Sequence, residues 1–216
     1  MWLSFLNKRK KYQQYINTLT DIPAYTKMMN REIQIDILTP QIANKVDEFI
    51  RFWNFVDDSL ELTLLEREPI KIYLNSLGGD WTSALTIMDS IKISKTPVYT
   101  FNIGIICKES FLIYIAGHKR FSYPNSTFIY SNSIFENIEK NDNESNFYNY
   151  SDMKNTLQAN IKNFILDKIK LSEAQYDKYS KNDWYFTADE AFKIHICNEI
   201  CKNHYYCNKN NKIWTK

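Results

Sequence analysis

Apolar and polar positions along this chain change period several times, and each change marks a new element. REIQIDI (31–37) has apolar residues at alternate positions and predicts a strand. Pro40 then opens a helical pattern, with Ile42, Val46, Phe49, Ile50 and Trp53 at spacings of three and four. PIKIYLNS (69–76) alternates again and stops at Gly78-Gly79. A second helix follows, with Ala84, Ile87, Met88 and Ile91 on its apolar face. TPVYTFNIG (96–104) predicts another strand, leading to an apolar helix from about Ser110 to Ala116. Lys119 to Tyr123 and Ser126 to Tyr130 predict short strands around Pro124-Asn125.

Between Glu136 and Asn149 nearly every residue is Asn, Glu, Asp, Lys or aromatic, which predicts a solvated loop. A long helix follows, carrying Tyr150, Met153, Leu157, Ile161, Phe164, Ile165 and Ile169 on one stripe. Thr187 with Glu190 three residues on is a capping-box pattern. Residues 1–30 are polar and basic and predict a partly helical arm, residues 31–200 hold the periodic segments, and 201–216 form a polar tail. Strands alternating with helices predict an α/β fold with much parallel sheet.

Composition narrows the classes. With 44% hydrophobic and 24% charged residues, the chain can bury a core and is not a disordered polymer. A net charge of +2 does not point to nucleic acid or an acidic substrate. No apolar run reaches the roughly 20 residues of a membrane-spanning helix. In MWLSFLNKRKK the apolar stretch precedes the basic one, the reverse of a secretory signal, so cytoplasmic residence is expected. Four cysteines without such a signal fit a reducing compartment.

One stretch is more specific than periodicity. LNSLGGDWTSALTIMDSIKISKTPVYTFNIG (74–104) resembles the proteolytic subunit of the Clp protease family (ClpP). Asn75, Ser76, Gly78 and Gly79 match its Asn-Ser-Pro-Gly-Gly, with Leu77 in place of the proline, and Ile87 and Asp89 match the helix after it. AGHKRFSYPNS (116–126) and WYFTADEA (184–191) resemble two further family segments, in the same order. The resemblance implies a ClpP/crotonase-like α/β fold of stacked, largely parallel sheet units. It also implies a protruding handle helix, here about 150–170, that pairs two sevenfold rings.

The catalytic positions of the family carry other residues. Its nucleophilic serine falls on Lys108, its histidine on Ser131 and, counting back from WYFTADEA, its aspartate on Tyr179, with Asp183 only four residues away. A serine hydroxyl needs a neighbouring base, and the base needs an orienting group. Lys108 has no hydroxyl, Ser131 is no base near neutral pH, and Tyr179 offers no carboxylate. The resemblance places the oxyanion hole at the backbone of Gly79 and Glu109, beside Gly78. There the Glu109 side chain would bring negative charge where an oxyanion should develop. Lys108 and Glu109 therefore fit either a plugged pocket or residues tolerated once catalysis is lost. The expected role is a non-catalytic ring subunit, a pseudoprotease that assembles with itself or with active Clp subunits and meets an ATP-driven Clp unfoldase. No cofactor is implied.

Rival readings have weaker support. Ser110 is the best relocated nucleophile for an active serine peptidase, yet it faces away from Lys108 on a helix and lacks a placed base among His118, His195 and His204. An acyl-CoA enzyme of the crotonase superfamily would also use Gly78-Gly79. Cys197, Cys201, His204 and Cys207 are of zinc-ligand type. Their spacing is tight, and packing cysteines near a helix end are the alternative. Trp2, Leu3, Phe5 and Leu6 ahead of Lys8 to Lys11 allow weak membrane-surface contact, although the family resemblance favours a docking or gating arm. The segment Ser133-Ile134-Phe135 lacks the glycines that family members use for peptide binding and ring pairing.

Overall fold

The structure, a computed structural model, describes residues 27–131 and 144–202, with no side-chain description for 144–151 and 154. The expected N-terminal arm and the tail beyond 202 lie almost wholly outside the described residues, as does the segment 132–143.

Strand β1 (Glu32–Ile35) is shorter than its seven-residue pattern and pairs in parallel with β2 (Ile70–Ser76). Helix α1 (Pro40–Ser59) starts where Thr39 accepts the Ile42 N–H at 3.3 Å and Pro40 presets the first turn. Its stripe of Ala43, Val46, Ile50, Trp53 and Val56 is buried. In β2 the alternation puts Ile70, Ile72 and Leu74 in the main core and leaves Lys71 and Tyr73 on the other face. Helix α2 (Trp81–Ile93) is capped by Asp80, which accepts the Ser83 N–H at 2.7 Å.

The sheet runs β1-β2-β3-β4-β7, all parallel, and β3 (Val98–Cys107) is its hub. The lower half of β3, Tyr99–Asn102, pairs with β4 (Lys119–Ser122). Its upper half, Ile105–Cys107, pairs with β5 (Thr127–Tyr130). Between the halves the register with β2 jumps from Leu74↔Asn102 to Ser76↔Ile106. The jump is local chemistry: Asn75 Oδ1 accepts the Ile105 N–H at 3.1 Å, and a Cβ on Gly104 would sit 2.4 Å from that same oxygen. Asn75 and Gly104 thus build the bend that splits one sheet into two units.

Helix α3 (Glu109–Ala116) is buried at all eight positions and fills the space beneath the upper unit. Helix α4 (Glu144–Lys168) begins earlier than the stripe from Tyr150 predicts. Residues 144–149, expected as loop, are helical; their sequence ESNFYN carries no apolar period that would mark a helix. Ile161 and Ile165 are buried and Met153 is exposed, so among its described side chains α4 packs through its C-terminal part. Helix α5 (Glu173–Tyr179) follows, with a capping box between Ser172 and Gln175 that the sequence reading missed. Strand β6 (Trp184–Thr187) pairs antiparallel with β5, and Thr187 with Glu190 caps α6 (Ala188–Lys193) as its pattern predicts. Strand β7 (Glu199–Ile200) closes the described chain.

Arg120 fastens these ends together. It is buried and donates to the carbonyls of Ile196 at 2.8 Å, His195 at 2.9 Å, Lys168 at 3.2 Å and Gly117 at 3.3 Å. A planar fork with five donors suits four carbonyls arriving from three chain segments.

Candidate active site

The site lies where β2 and β3 both end, at the top of the upper sheet unit. After Ser76 the chain turns through Gly78 (φ 109) and Gly79 (φ 150), backbone that L-residues rarely adopt. The Ser76 hydroxyl accepts the Gly78 N–H at 3.2 Å, and Leu38 clamps the turn from outside, its N–H on the Gly78 carbonyl at 3.2 Å. A Cβ on Gly79 would stand 2.3 Å from the Leu38 carbonyl oxygen, so the turn is fixed from both sides.

The facing wall is the elbow from β3 into α3. Lys108 sits at φ 52, ψ −123, a strained conformation for a side chain that is not glycine. Its N–H donates to the Ile129 carbonyl at 3.1 Å, its carbonyl accepts the Phe111 N–H at 3.0 Å, and its side chain is exposed. Glu109 turns the other way. It is 7% exposed, and its Oε2 accepts the Gly79 N–H at 3.0 Å. A Cβ on Gly78 would come within 2.3 Å of that oxygen, so only glycine admits the carboxylate. The Gly79 donor that the sequence reading left open for an oxyanion is engaged from within the chain.

Ser110 is fully buried. Its Oγ accepts the Cys107 N–H at 3.0 Å and lies 2.6 Å from the Cys107 carbonyl and 3.0 Å from the Ser76 carbonyl, either of which takes its proton. That hydroxyl closes the first turn of α3 and does not face solvent.

Ser131 follows β5 and is buried. The antiparallel register Ile129↔Tyr185, Tyr130↔Trp184, continued by one residue, sets Ser131 opposite Asp183. Tyr179, the residue reached by counting along the chain, ends α5, is 41% exposed and stacks on the Trp184 ring at 4.7 Å. By this register Asp183, exposed and accepting the Tyr185 hydroxyl at 3.4 Å, is the alternative to Tyr179 for the family's aspartate position. Burial pushes the Cys107 thiol up; the Asp183 carboxylate adds to the rise, while Lys108 opposes it. The strand register could have found Asp183, but a four-residue strand among aromatics hides it.

The described histidines are elsewhere. His118 Nδ1 accepts the Val98 N–H at 3.0 Å, at the opposite end of β3, and burial holds its pKa below the ordinary value. His195 follows α6 with φ 63. The cysteines do not share a helix face, because α6 ends at Lys193. Cys197 packs in the main core and donates to the Glu199 carbonyl at 3.0 Å, whereas Cys201 packs with Phe101 and Phe121. His204 and Cys207 lie outside the described residues. Among those residues, no group of three or more His, Cys, Asp or Glu stands ready for a metal, and no helix is long and apolar enough to cross a membrane.

Comparison with known proteins bears on this geometry. Residues 25–204 match the family model described as Clp protease. The chain is 26% identical over 203 residues to "ATP-dependent Clp protease proteolytic subunit 2" of Treponema denticola, covering 93% of this chain and 96% of that one. It is 24% identical over 197 residues to an ATP-dependent Clp protease proteolytic subunit of Cyanophora paradoxa, covering 84% and 97%. Among solved structures, a ClpP1 mutant from Listeria monocytogenes superposes with a TM-score of 0.68 at 23% identity, covering 85% of this chain and 98% of that one.

Proposed function

Because the chain belongs to the Clp protease family, we propose that it serves as a non-catalytic subunit of a Clp-type ring in the cytoplasm. It shapes the chamber, or its docking to an ATP-driven unfoldase, without cleaving peptides. The observation that carries this reading is the Glu109 Oε2 on the Gly79 N–H at 3.0 Å. An acyl transfer needs that donor for the developing oxyanion, and a carboxylate there both takes the hydrogen bond and repels the charge. The elbow adds to this. Lys108, the residue on which the resemblance sets the family's nucleophile, has a strained backbone at φ 52. An amine attacking a peptide carbonyl there would form a second stable amide, and turnover would stop.

The remaining triad geometry is consistent with loss rather than relocation. Whether Tyr179 or Asp183 takes the family's aspartate position, Ser131 offers it no imidazole to orient. Ser110 would have to leave both carbonyl partners and a buried helix start before it could meet a substrate. Self-assembly and mixed rings with active subunits both fit this role.

Native mass spectrometry after exposure to a fluorophosphonate, with an active Clp subunit treated in parallel, tests the reading. A ring-sized assembly without adduct, beside a labelled control, is the expected result. A stoichiometric adduct on this chain would overturn it and direct peptide mapping first to Ser110.

A further inference from the structure

The two ends of β3 are closed by different means. At the upper end the chain turns through Lys108 into α3. At the lower end an imidazole completes the pairing with β4. The Val98 carbonyl accepts the His118 N–H at 2.9 Å, and the Val98 N–H donates to His118 Nδ1 at 3.0 Å. The ladder itself begins one residue later, at Tyr99↔Lys119. His118 thus meets Val98 twice, once through backbone and once through a ring nitrogen that takes the place of a backbone acceptor.

That second bond depends on protonation. Nδ1 offers a lone pair only while it carries no proton, so the bond selects the neutral imidazole with its hydrogen on Nε2. Protonation would set two N–H groups against each other, and Val98, which is fully buried, would lose its acceptor. His118 itself is exposed, so solvent protons reach the ring. The charged surroundings act in the same direction. Desolvation holds the His118 pKa below the ordinary value, and Lys168 at the end of α4 adds to the depression. Lys92 on α2 and Arg120 on β4 act likewise on Lys168, and Asp167 opposes them. Lys119, the next residue on β4, lies 3.6 Å from Glu199.

The corner that this bond closes reaches further than β3. Gly117, just before His118, lies so close to β3 that a Cβ there would stand 2.3 Å from Thr100 Oγ1. The carbonyls of Gly117 and Lys168, at the ends of α3 and α4, both accept from Arg120. We propose that His118 is an acid-released clasp on the lower end of β3. The neutral ring holds Val98 and the turn from α3 into β4; the imidazolium releases both and loosens the corner where Arg120 gathers the helix ends. Lys108 and Glu109, at the other end of β3, take no part in it.

The unfolded chain protonates this ring near about pH 6.5. With the folded value lower, the clasp adds stability above that pH and loses it as pH falls through the folded value. Hydrogen exchange of the full-length chain, read at single amides by mass spectrometry and corrected for the intrinsic rate, tests the clasp at pH 7.5 and 5.0. Protection of the Val98 amide should fall at least about fivefold on acidification, while Ile72 in the middle of β2 stays unchanged. His118→Asn keeps an acceptor oxygen near the Nδ1 position without titrating, and its Val98 amide should hold within about twofold over the same range. An unchanged Val98 amide in the parent, an equal fall in the variant, or a matching fall at Ile72 would overturn the proposal. Nitrogen NMR of labelled histidine in the unsubstituted chain supplies a check that needs no variant. His118 should carry its proton on Nε2 at pH 7.5 and become imidazolium by pH 5.0. A proton on Nδ1 at pH 7.5 would sink the clasp outright.

Discussion

Among the described residues two carboxylates are buried, and they are held in opposite ways. Asp57 on α1 is fully buried, with Arg31 on both oxygens at 2.6 and 2.8 Å and the Thr96 hydroxyl on Oδ2 at 2.8 Å. Arg31 in turn lies over the Trp53 ring at 4.2 Å and donates to the Glu68 carbonyl at 2.7 Å. Arg67 reaches the same threonine at 3.3 Å and also grips Asp58. Glu109 is held by one backbone N–H in a space that exists because Gly78 has no side chain. The first charge is part of a network whose members fail together. The second occupies a vacancy that the fold would keep without it. Burial alone therefore does not tell a structural charge from a functional remnant; the number and kind of partners does.

The largest effect should come from breaking the network. Asp57→Ala strands the Arg31 guanidinium inside the protein, and losing one partner of a buried pair costs about 3–5 kcal/mol. Urea unfolding should show the midpoint collapse, with expression falling alongside. A midpoint within experimental error of the parent would sink the view of Asp57 as a pillar.

Gly78→Ala sharpens the other side of the comparison. It should cost about 1–3 kcal/mol from backbone strain, with more from the clash against Glu109. In a Glu109→Ala background the clash is gone, so the two changes should couple by about 1 kcal/mol or more in a double-mutant cycle. Strict additivity would mean that the carboxylate is not where Gly78 makes room for it.

Glu109→Gln should do far less than either. The amide oxygen still accepts the Gly79 N–H, and the change should stay within about 1 kcal/mol. A loss as large as that of Asp57→Ala would erase the distinction drawn between the two carboxylates.

Much of the frame was legible before the structure. The alternation of 69–76, the helix start at Pro40 and the Thr187–Glu190 capping box each depend on neighbours within a few residues, and each formed where expected. What failed depends on distance or on blandness. The first turns of α4 mix Glu, Ser, Asn, Phe and Tyr without an apolar period, so nothing announced them. Counting along the chain reaches Tyr179, whereas continuing the β5–β6 register reaches Asp183, and only the second depends on how the strands pair. The Glu109–Gly79 bond joins residues thirty apart, and sequence spacing says nothing about it. The glycines were noted as motif members, but only the clash distances explain why each must be glycine.

The smallest expected effect concerns a third carboxylate, Asp80, one residue past Gly79 and also held by backbone. Burial raises its pKa, but hydrogen bonds from the side chains and N–H groups of Ser83 and Thr82 outweigh it and hold the carboxyl below the usual range. Its folded pKa is therefore lower than its unfolded one, near 3.9 in about any open chain. The resulting stability is present above that unfolded value and disappears as pH falls through the folded one. Asp80→Asn keeps a side-chain oxygen for the Ser83 N–H but does not titrate. At neutral pH the variant should melt slightly below the parent, and the gap should close on acidification below about pH 4. Thermal melts of both proteins across that window measure the gap directly. If it stays constant, the ionised form of Asp80 contributes nothing beyond its shape.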